Sequence, residues 1–416
     1  MQVQDHLFRH ESARMIAALT RVFGVHNLEL AEDVVQDALC RALEVWKLRG
    51  MPENPSAWLM TTAKNRAIDV LRRERRARTF APEVGRWLET EWTLAPTMDA
   101  LFEPGALRDD VLRMMFTACH PSLPEEAQVA LVLNIVCGFG VDEIAAAFLS
   151  THAAVEKRIV RAKKTLASSK RLFDLADPDC AERLSAVHRA IYLLFNEGYH
   201  GASSESAVRS ELCHEAMRLG SLLLAHDATS TPSSRALAAL MCLHAARLPG
   251  RIDASGNLSP LFEQDRGLWD ATLIREGLRL LDSSASGDAL TELHVEAGIA
   301  AVHASARRAE DTDWGAIVKL YDRLMSMRPS PVVALNRAIA VGQHEGAARG
   351  LEELEAIADR ERLAEYPFYP AALGEMELRC GHAEAARDHF RAAVALSRSP
   401  IERRFLERRV EACVRG

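Results

Sequence analysis

Apolar residues recur along most of the chain at steps of three and four, the period of a helix with one buried face. In LELAEDVVQDALCRALEVW the positions Val35, Ala38, Leu39, Ala42, Val45 and Trp46 share one face, while Glu29, Asp33, Gln36, Asp37, Arg41 and Glu44 share the other. Gly50, Pro52, Asn54 and Pro55 then predict a loop, and Ser56 can cap the next helix. That helix, AWLMTTAKNRAIDVLRRERR, buries Trp58, Leu59, Thr62, Ala63, Ile68 and Leu71 and turns basic in its distal half. Asp69 is spaced to pair with Arg66 or Asn65 on the same helix.

A second compact helical unit follows a stretch marked by Pro82, Pro96, Pro104 and Gly105. Its helices are predicted to start near Leu123–Glu126, to continue as the apolar run AQVALVLNIVCGFG, and to end in two short elements, VDEIAAAF and Thr151 to Leu166. In EIAAAFLSTHAAVEKRIVRAK, residues Ile144, Ala145, Phe148, Val155, Ile159 and Ala162 point inward with the spacing of a helix-turn-helix. Thr151, His152, Ala153, Glu156, Lys157, Val160, Arg161 and Lys164 are left outward. From about residue 180 the helical period persists to the end. Two late segments align with Gly342 on Gly381, Ala347 on Ala386 and Leu351 on Phe390, a period of 39 residues, which reads as tetratricopeptide-like repeats. The expected fold is all-α, divided as 1–79, an acidic linker 80–110, a helix-turn-helix module 111–172, a helical domain 180–300 and repeat-like helices 301–416.

Charge sharpens this division. The net charge is −7, yet residues 151–171 carry +6 and residues 172–300 carry −8. Basic blocks run from Lys64 to Arg78 and from Lys157 to Arg171, each ending a predicted helical module. Local positive charge suffices for phosphate contacts because screening confines them to about 10 Å at ordinary salt. The acidic 172–300 segment argues against DNA contact there. The opening MQVQDHLFRHESARM has no apolar core, so neither a secretory signal nor a membrane anchor is expected and a cytoplasmic location is.

Candidate catalytic chemistry is sparse. No Gly-Lys dipeptide occurs, so there is no phosphate-binding loop of the G-x-x-x-x-G-K type, and neither G-x-S-x-G nor H-E-x-x-H is present. Cys119-His120, Cys213-His214 and Cys242-Leu243-His244 lack zinc-site spacing. No metal, cofactor or enzymatic activity is expected. Asn196, Glu197, Asp265, Arg266, Trp269 and Asp270 admit either a ligand site or buried helix–helix hydrogen bonding.

The stretches AEDVVQDALCRALEVW, PENPSAWLMTTAKNRAIDVLRRERR and GFGVDEIAAAFLSTHAAVEKRIVRAKKTL, in this order, resemble a bacterial RNA polymerase sigma factor of the extracytoplasmic-function (ECF) group. The first two resemble sigma region 2 and the third region 4. The tail, with YLLFNEGY and FEQDRGLWD, is similar to the subgroup that carries a helical domain of unknown function and tetratricopeptide-like repeats.

That resemblance implies an alternative sigma factor that directs promoter recognition and melting. Asp33, Gln36 and Asp37 would dock on the clamp helices of the polymerase β′ subunit, and region 4 would meet the β flap. Lys64, Asn65, Arg66, Arg72, Arg73, Arg75 and Arg76 would hold the minus-ten element. Thr151, His152, Glu156, Lys157, Arg158, Arg161 and Lys164 would read the minus-thirty-five element. The C-terminal extension would regulate activity, through contact with the sigma core or with polymerase. The competing reading is a repeat-bearing regulator that binds DNA through residues 111–171 without sigma activity.

Overall fold

The computed structural model describes residues 2–77, 104–147, 150–168, 180–200, 209–253, 259–287, 289–397 and 400–415. The fold is all-α, with no strand among the described residues. The chain divides into two compact units, Met1–Leu194 and Phe195–Gly416.

In the first unit, α1 (Gln2–Phe23), α2 (Leu28–Arg49) and α3 (Pro55–Ala77) pack together, and α4 (Pro104–Ala118) lies along α1. Their buried faces interleave Met15, Leu19, Phe23, Val35, Ala38, Ala42, Leu59, Ala63, Ala67 and Leu71. Trp46 meets Phe8 at 5.4 Å and the edge of Trp58 at 5.5 Å between ring centroids, which closes the far end of this core. The cap of α3 is Asn54 rather than Ser56. Its side-chain oxygen accepts from the Ala57 amide at 3.0 Å, because the helix already begins at Pro55. The segment expected to be a linker gives way to helix at Pro104, and its remaining residues up to 103 lie outside the described set. Asp110 of α4 is fully buried and pairs with Arg21 of α1 at 3.4 Å and Arg113 at 3.1 Å, fixing α4 against α1.

The apolar run after Pro124 is helical from Glu125 to Val136, as its pattern predicts, but its hydrogen-bond period changes within it. Helix α5 (Glu125–Leu131) widens into a π-turn over Val132–Val136 and reverses at Gly138, whose φ is 69°. The Asn134 amide donates to the Phe139 carbonyl at 3.0 Å, holding the reversal. Helix α6 (Val141–Ala147) and helix α7 (His152–Ala167) follow. Helix α8 (Cys180–His200) spans the boundary between the two units.

The second unit begins with α9 (Ser210–Leu224), α10 (Pro232–Ala245), α11 (Ala271–Ser284) and α12 (Glu292–Ser305), with α10 packed on both α11 and α12. Sequence-level caps work as expected of their residue types: Thr231 before Pro232, Asp270 before α11 and Asp313 before α13 (Trp314–Met327) each accept a backbone amide of the first turn. Helical hairpins follow: α14 (Pro331–His344) with α15 (Ala347–Glu355), then α16 (Phe368–Arg379) with α17 (Ala383–Leu396), ending in α18 (Pro400–Arg415).

The register between these hairpins differs from the 39-residue alignment. Gly342 is buried inside α14 against Gly350, whereas Gly381 occupies the turn after α16 with φ 88°. The equivalent buried positions are Gly350 and Leu354 in α15 and Ala386 and Phe390 in α17, each pair 36 residues apart. Matching the glycines by identity confused a crossing glycine with a turn glycine.

At the α14–α15 crossing, a methyl on Gly350 would sit 2.6 Å from the Gly342 Cα. Gly350→Ala is therefore expected to lower the thermal midpoint of the full chain, at a cost of about 1–3 kcal/mol. Gly140→Ala, where the nearest atom lies 3.6 Å away, should leave the midpoint within error. Thermal denaturation of the two variants side by side checks both.

Candidate nucleic-acid interface

Helix α7 is held by an apolar stripe, Val155, Ile159, Ala162 and Leu166, all buried. The stripe fixes which side chains face away. Thr151, His152, Ala153, Glu156, Lys157, Val160, Arg161 and Lys164 are all exposed, forming the opposite face of the helix. Thr151 is also the N-cap, accepting the Ala154 amide at 3.3 Å, so its hydroxyl has a structural duty. Arg158 is half-buried and pairs with Glu126 at 2.8 Å, tying α7 to α5. Of the inward residues expected in α6, Ile144 and Ala145 are buried, and Phe148 lies outside the described residues with Leu149.

The start of α6 and the start of α7 are joined electrostatically. The Glu143 carboxylate turns back to accept the Gly140 amide at 2.8 Å, and Asp142 reaches His152 Nδ1 at 2.6 Å. That hydrogen bond to Asp142 raises the His152 pKa above its ordinary 6.5, and the Asp142 charge adds to the effect.

On α3, Lys64 and Arg66 are half-buried while Asn65 and Arg72 are exposed. Arg73, Arg75 and Arg76 stand on the last turns of the same helix, and their side chains lie outside the described set. Arg66 does not pair with Asp69. Its guanidinium crosses to Asp37 on α2, with Nε donating at 2.8 Å and an N–O distance of 2.7 Å at the terminal nitrogen. The tertiary partner engages two guanidinium nitrogens at once. A residue expected at DNA thus contacts a residue expected at polymerase.

Asp33, Gln36 and Asp37 are exposed on one stripe of α2, and the stripe continues through Cys40 to Leu43, which is 55% exposed. Leu48 and Met51 extend the apolar exposure past the helix end. Leu43 was legible at four residues beyond Leu39 but falls off the buried face by one step.

Two further residues carry weight that sequence spacing does not signal. Lys163 Nζ of α7 donates to both carboxylate oxygens of Glu32 on α2, at 2.6 and 2.8 Å. Both side chains are mostly covered, with exposures of 17% and 22%. The contact spans 131 residues and ties the two basic modules to one another inside the first unit.

No helix of the described residues is long and apolar enough to cross a membrane, and none of their His, Cys, Asp and Glu side chains form a group of three suited to a metal. Burial pushes the thiols of Cys119 and Cys213 up to about 12 and that of Cys242 to about 11, which disfavours the thiolate a metal would need.

Comparison with known families places names on this geometry. Residues 7–77 match the family model for sigma-70 region 2 and residues 113–166 that for sigma-70, region 4. Residues 183–285 match a family of unknown function, DUF6596. The chain is 39% identical over 399 residues to uncharacterized protein R00370 of Rhizobium meliloti (strain 1021), an alignment that covers 95% of this chain and 92% of that relative. The chain belongs to the sigma-70 family of RNA polymerase sigma factors. Region 4 contributes the helix-turn-helix, so core RNA polymerase and promoter DNA are the partners this family membership implies.

The His152–Asp142 pair yields a signed expectation. Its stabilising contribution is present at pH below the ordinary histidine value and is lost as pH rises through the raised one. An NMR titration of the imidazole should place His152 above 6.5, and Asp142→Asn should return it to the ordinary range. An unshifted His152 in the unmodified protein would remove this contact from the account.

Proposed function

We propose that the protein is an alternative sigma factor of the ECF group, in which α7 reads the minus-thirty-five element and α3 holds the melted minus-ten strand. The observation that carries this reading is the exposed polar and basic face of α7, set opposite a fully buried stripe within a region 4 match. Arg161, Lys157 and Lys164 on that face suit phosphates and base edges of a major groove. On α3, Lys64, Asn65, Arg66 and Arg72, with Arg73, Arg75 and Arg76 beyond them, supply the cations that an unpaired strand needs. The α2 stripe of Asp33, Gln36 and Asp37, with Leu43 as its apolar centre, is the proposed seat for basic groups of the polymerase β′ clamp, and region 4 for the β flap. No reaction of its own is assigned to the protein, and its place of action is the cytoplasm.

The Lys163–Glu32 pair supports a second part of the reading. Two promoter elements roughly 25 base pairs apart are separated by about 85 Å of duplex. A compact unit of this length is only about 40 Å across. Region 4 must therefore leave region 2 for both elements to be held at once, and the ion pair is proposed to bias the closed arrangement. The C-terminal extension, with its repeat-like hairpins, is proposed to regulate the same step. A truncation that tests this role ends at Leu194 rather than nearer Arg171, because Arg189 of α8 approaches Glu125 at 3.7 Å.

Run-off transcription with purified core polymerase on a genomic promoter library tests the whole proposal. The full chain should convert core enzyme into a promoter-specific holoenzyme. Arg161→Ala together with Lys164→Ala should lower initiation by about ten- to a hundredfold at promoters with both elements. Duplex binding without any gain of specific initiation would instead establish the regulator without sigma activity.

Glu32→Gln should raise promoter-complex formation by the holoenzyme about two- to tenfold by weakening the closed state. Unchanged complex formation in that variant would refute the latch while leaving the sigma assignment intact.

A further inference from the structure

The second unit sets three arginines, Arg247 and Arg251 buried and Arg266 half-buried, around two aromatic rings. The Arg251 guanidinium lies 4.1 Å from the Tyr199 ring centroid, and Arg247 lies 5.9 Å from Tyr199 and 5.5 Å from Trp269. Arg266 stacks on Trp269 at 4.9 Å. The order in space is Arg251, Tyr199, Arg247, Trp269, Arg266, alternating cation and ring. Arg247 is 8% exposed and Arg251 9%.

Among the described residues, no carboxylate lies within ion-pair distance of any of the three. Arg266 satisfies its terminal nitrogens on uncharged acceptors, the carbonyls of His303 and Ala306 and the hydroxyl of Thr312, each at 2.9 Å. Arg247 Nε is fully shielded from water and has no hydrogen-bond partner among the described residues. Arg251 Nε is likewise buried and unpaired. The Trp269 indole N–H, 5% exposed, also finds no acceptor among the described residues. Gly250 packs against that edge of the indole, where a Cβ would stand 3.1 Å from the indole nitrogen. The carboxylates expected beside these residues are used elsewhere: Asp265 accepts the Gly267 amide at 2.8 Å, and Asp270 accepts the Thr272 and Leu273 amides at 2.8 and 3.0 Å.

Ring stacking does not balance this arrangement. A cation–π contact offsets only part of what shielding an ion from water costs. The charges also act on their surroundings. Burial, with Arg247 and Arg266 nearby, drives the His303 imidazole down to about 3 and keeps it neutral. Glu402, whose carboxyl senses the Arg251 charge, lies beyond ion-pair distance. Neighbouring cations and unpaired donors, with Glu402, Asp311 and Glu310 acting on them only from beyond ion-pair distance, form half of a recognition site.

We propose that Arg247 and Arg251, with the Trp269 indole N–H and flanked by Arg266, form a binding site for the phosphate group of a small phosphorylated molecule. Guanidinium forks match phosphate oxygens in pairs, and clustered cations favour a dianion over a single carboxylate. The site lies within the DUF6596 match, which carries no assigned role, and does not depend on the transcription reading.

The probe is inorganic phosphate, titrated into the full-length protein by calorimetry and by thermal shift at constant ionic strength, with succinate and chloride in parallel. The expected result is saturable phosphate binding with a rising thermal midpoint. Arg251→Lys and Trp269→Phe, which keep charge and bulk respectively, should each weaken phosphate binding, with about tenfold expected for Arg251→Lys. Arg247→Gln should abolish it. Arg275→Gln, an exposed arginine on α11, should bind as the unmodified protein does. If Arg247→Gln fails to fold by circular dichroism, the two milder variants decide. Absence of saturable phosphate binding overturns the proposal. So does equal affinity across all variants, which marks non-specific surface binding, and so does saturation by succinate but not phosphate, which would make the site a carboxylate receptor.

Discussion

The partly buried ion pair between Lys163 and Glu32 is the constraint on which the first unit's arrangement turns. Lys163 sits on the flank of α7, beside the buried stripe of Val155, Ile159, Ala162 and Leu166. The stripe decides which side of α7 is sealed, and the ion pair decides where that sealed side is anchored. The same contact leaves Arg161, Lys157 and Lys164 exposed and ties their helix to α2. A surface pair in water would contribute little, but these two side chains are largely covered, so losing one partner leaves the other poorly solvated.

Much of this was legible from residue spacing. Period-three-and-four patterning identified α2, α3 and α7, and the outward set of α7 follows directly from its inward stripe. Region 2 and region 4 signatures lie in continuous stretches of helix, which is why a single sequence exposes them. What spacing missed were pairings made in three dimensions. Arg66 chose Asp37 across a helix interface over Asp69 on its own helix. Lys163 found Glu32 across 131 residues. Asn54, not Ser56, caps α3 because Pro55 already takes the first helical position. The apolar helix runs to Val136 as its pattern indicates, but its π-turn at Val132–Val136 was not legible, since hydrophobicity alone does not report hydrogen-bond period. In the repeat-like hairpins, glycine identity misled where buried position did not: Gly350 and Ala386 are equivalent, while Gly342 and Gly381 are not.

The second unit shows the opposite logic. Its hairpins are closed by apolar clusters, such as Leu335, Leu354, Leu373 and Met376, that need no partner. Beside such packing, the Arg251–Tyr199–Arg247–Trp269–Arg266 ladder stands out because, among the described residues, no carboxylate lies at ion-pair distance from its charges. The motif residues Asp265 and Asp270 serve as caps, which leaves Arg266 and Trp269 as the motif's chemical edge. The basic face of α7 is exposed, whereas Arg247 and Arg251 of the second unit are buried.

The central claim is that one compact unit must open for both basic helices to engage a single promoter. Fluorescence energy transfer between labels at the exposed positions Thr61 on α3 and Thr165 on α7 measures this directly. The free protein should show efficient transfer, within about 40 Å. Addition of core polymerase and a promoter carrying both elements should abolish it, as the helices move toward a separation of about 85 Å. Efficient transfer that persists in a transcriptionally competent complex would contradict the account.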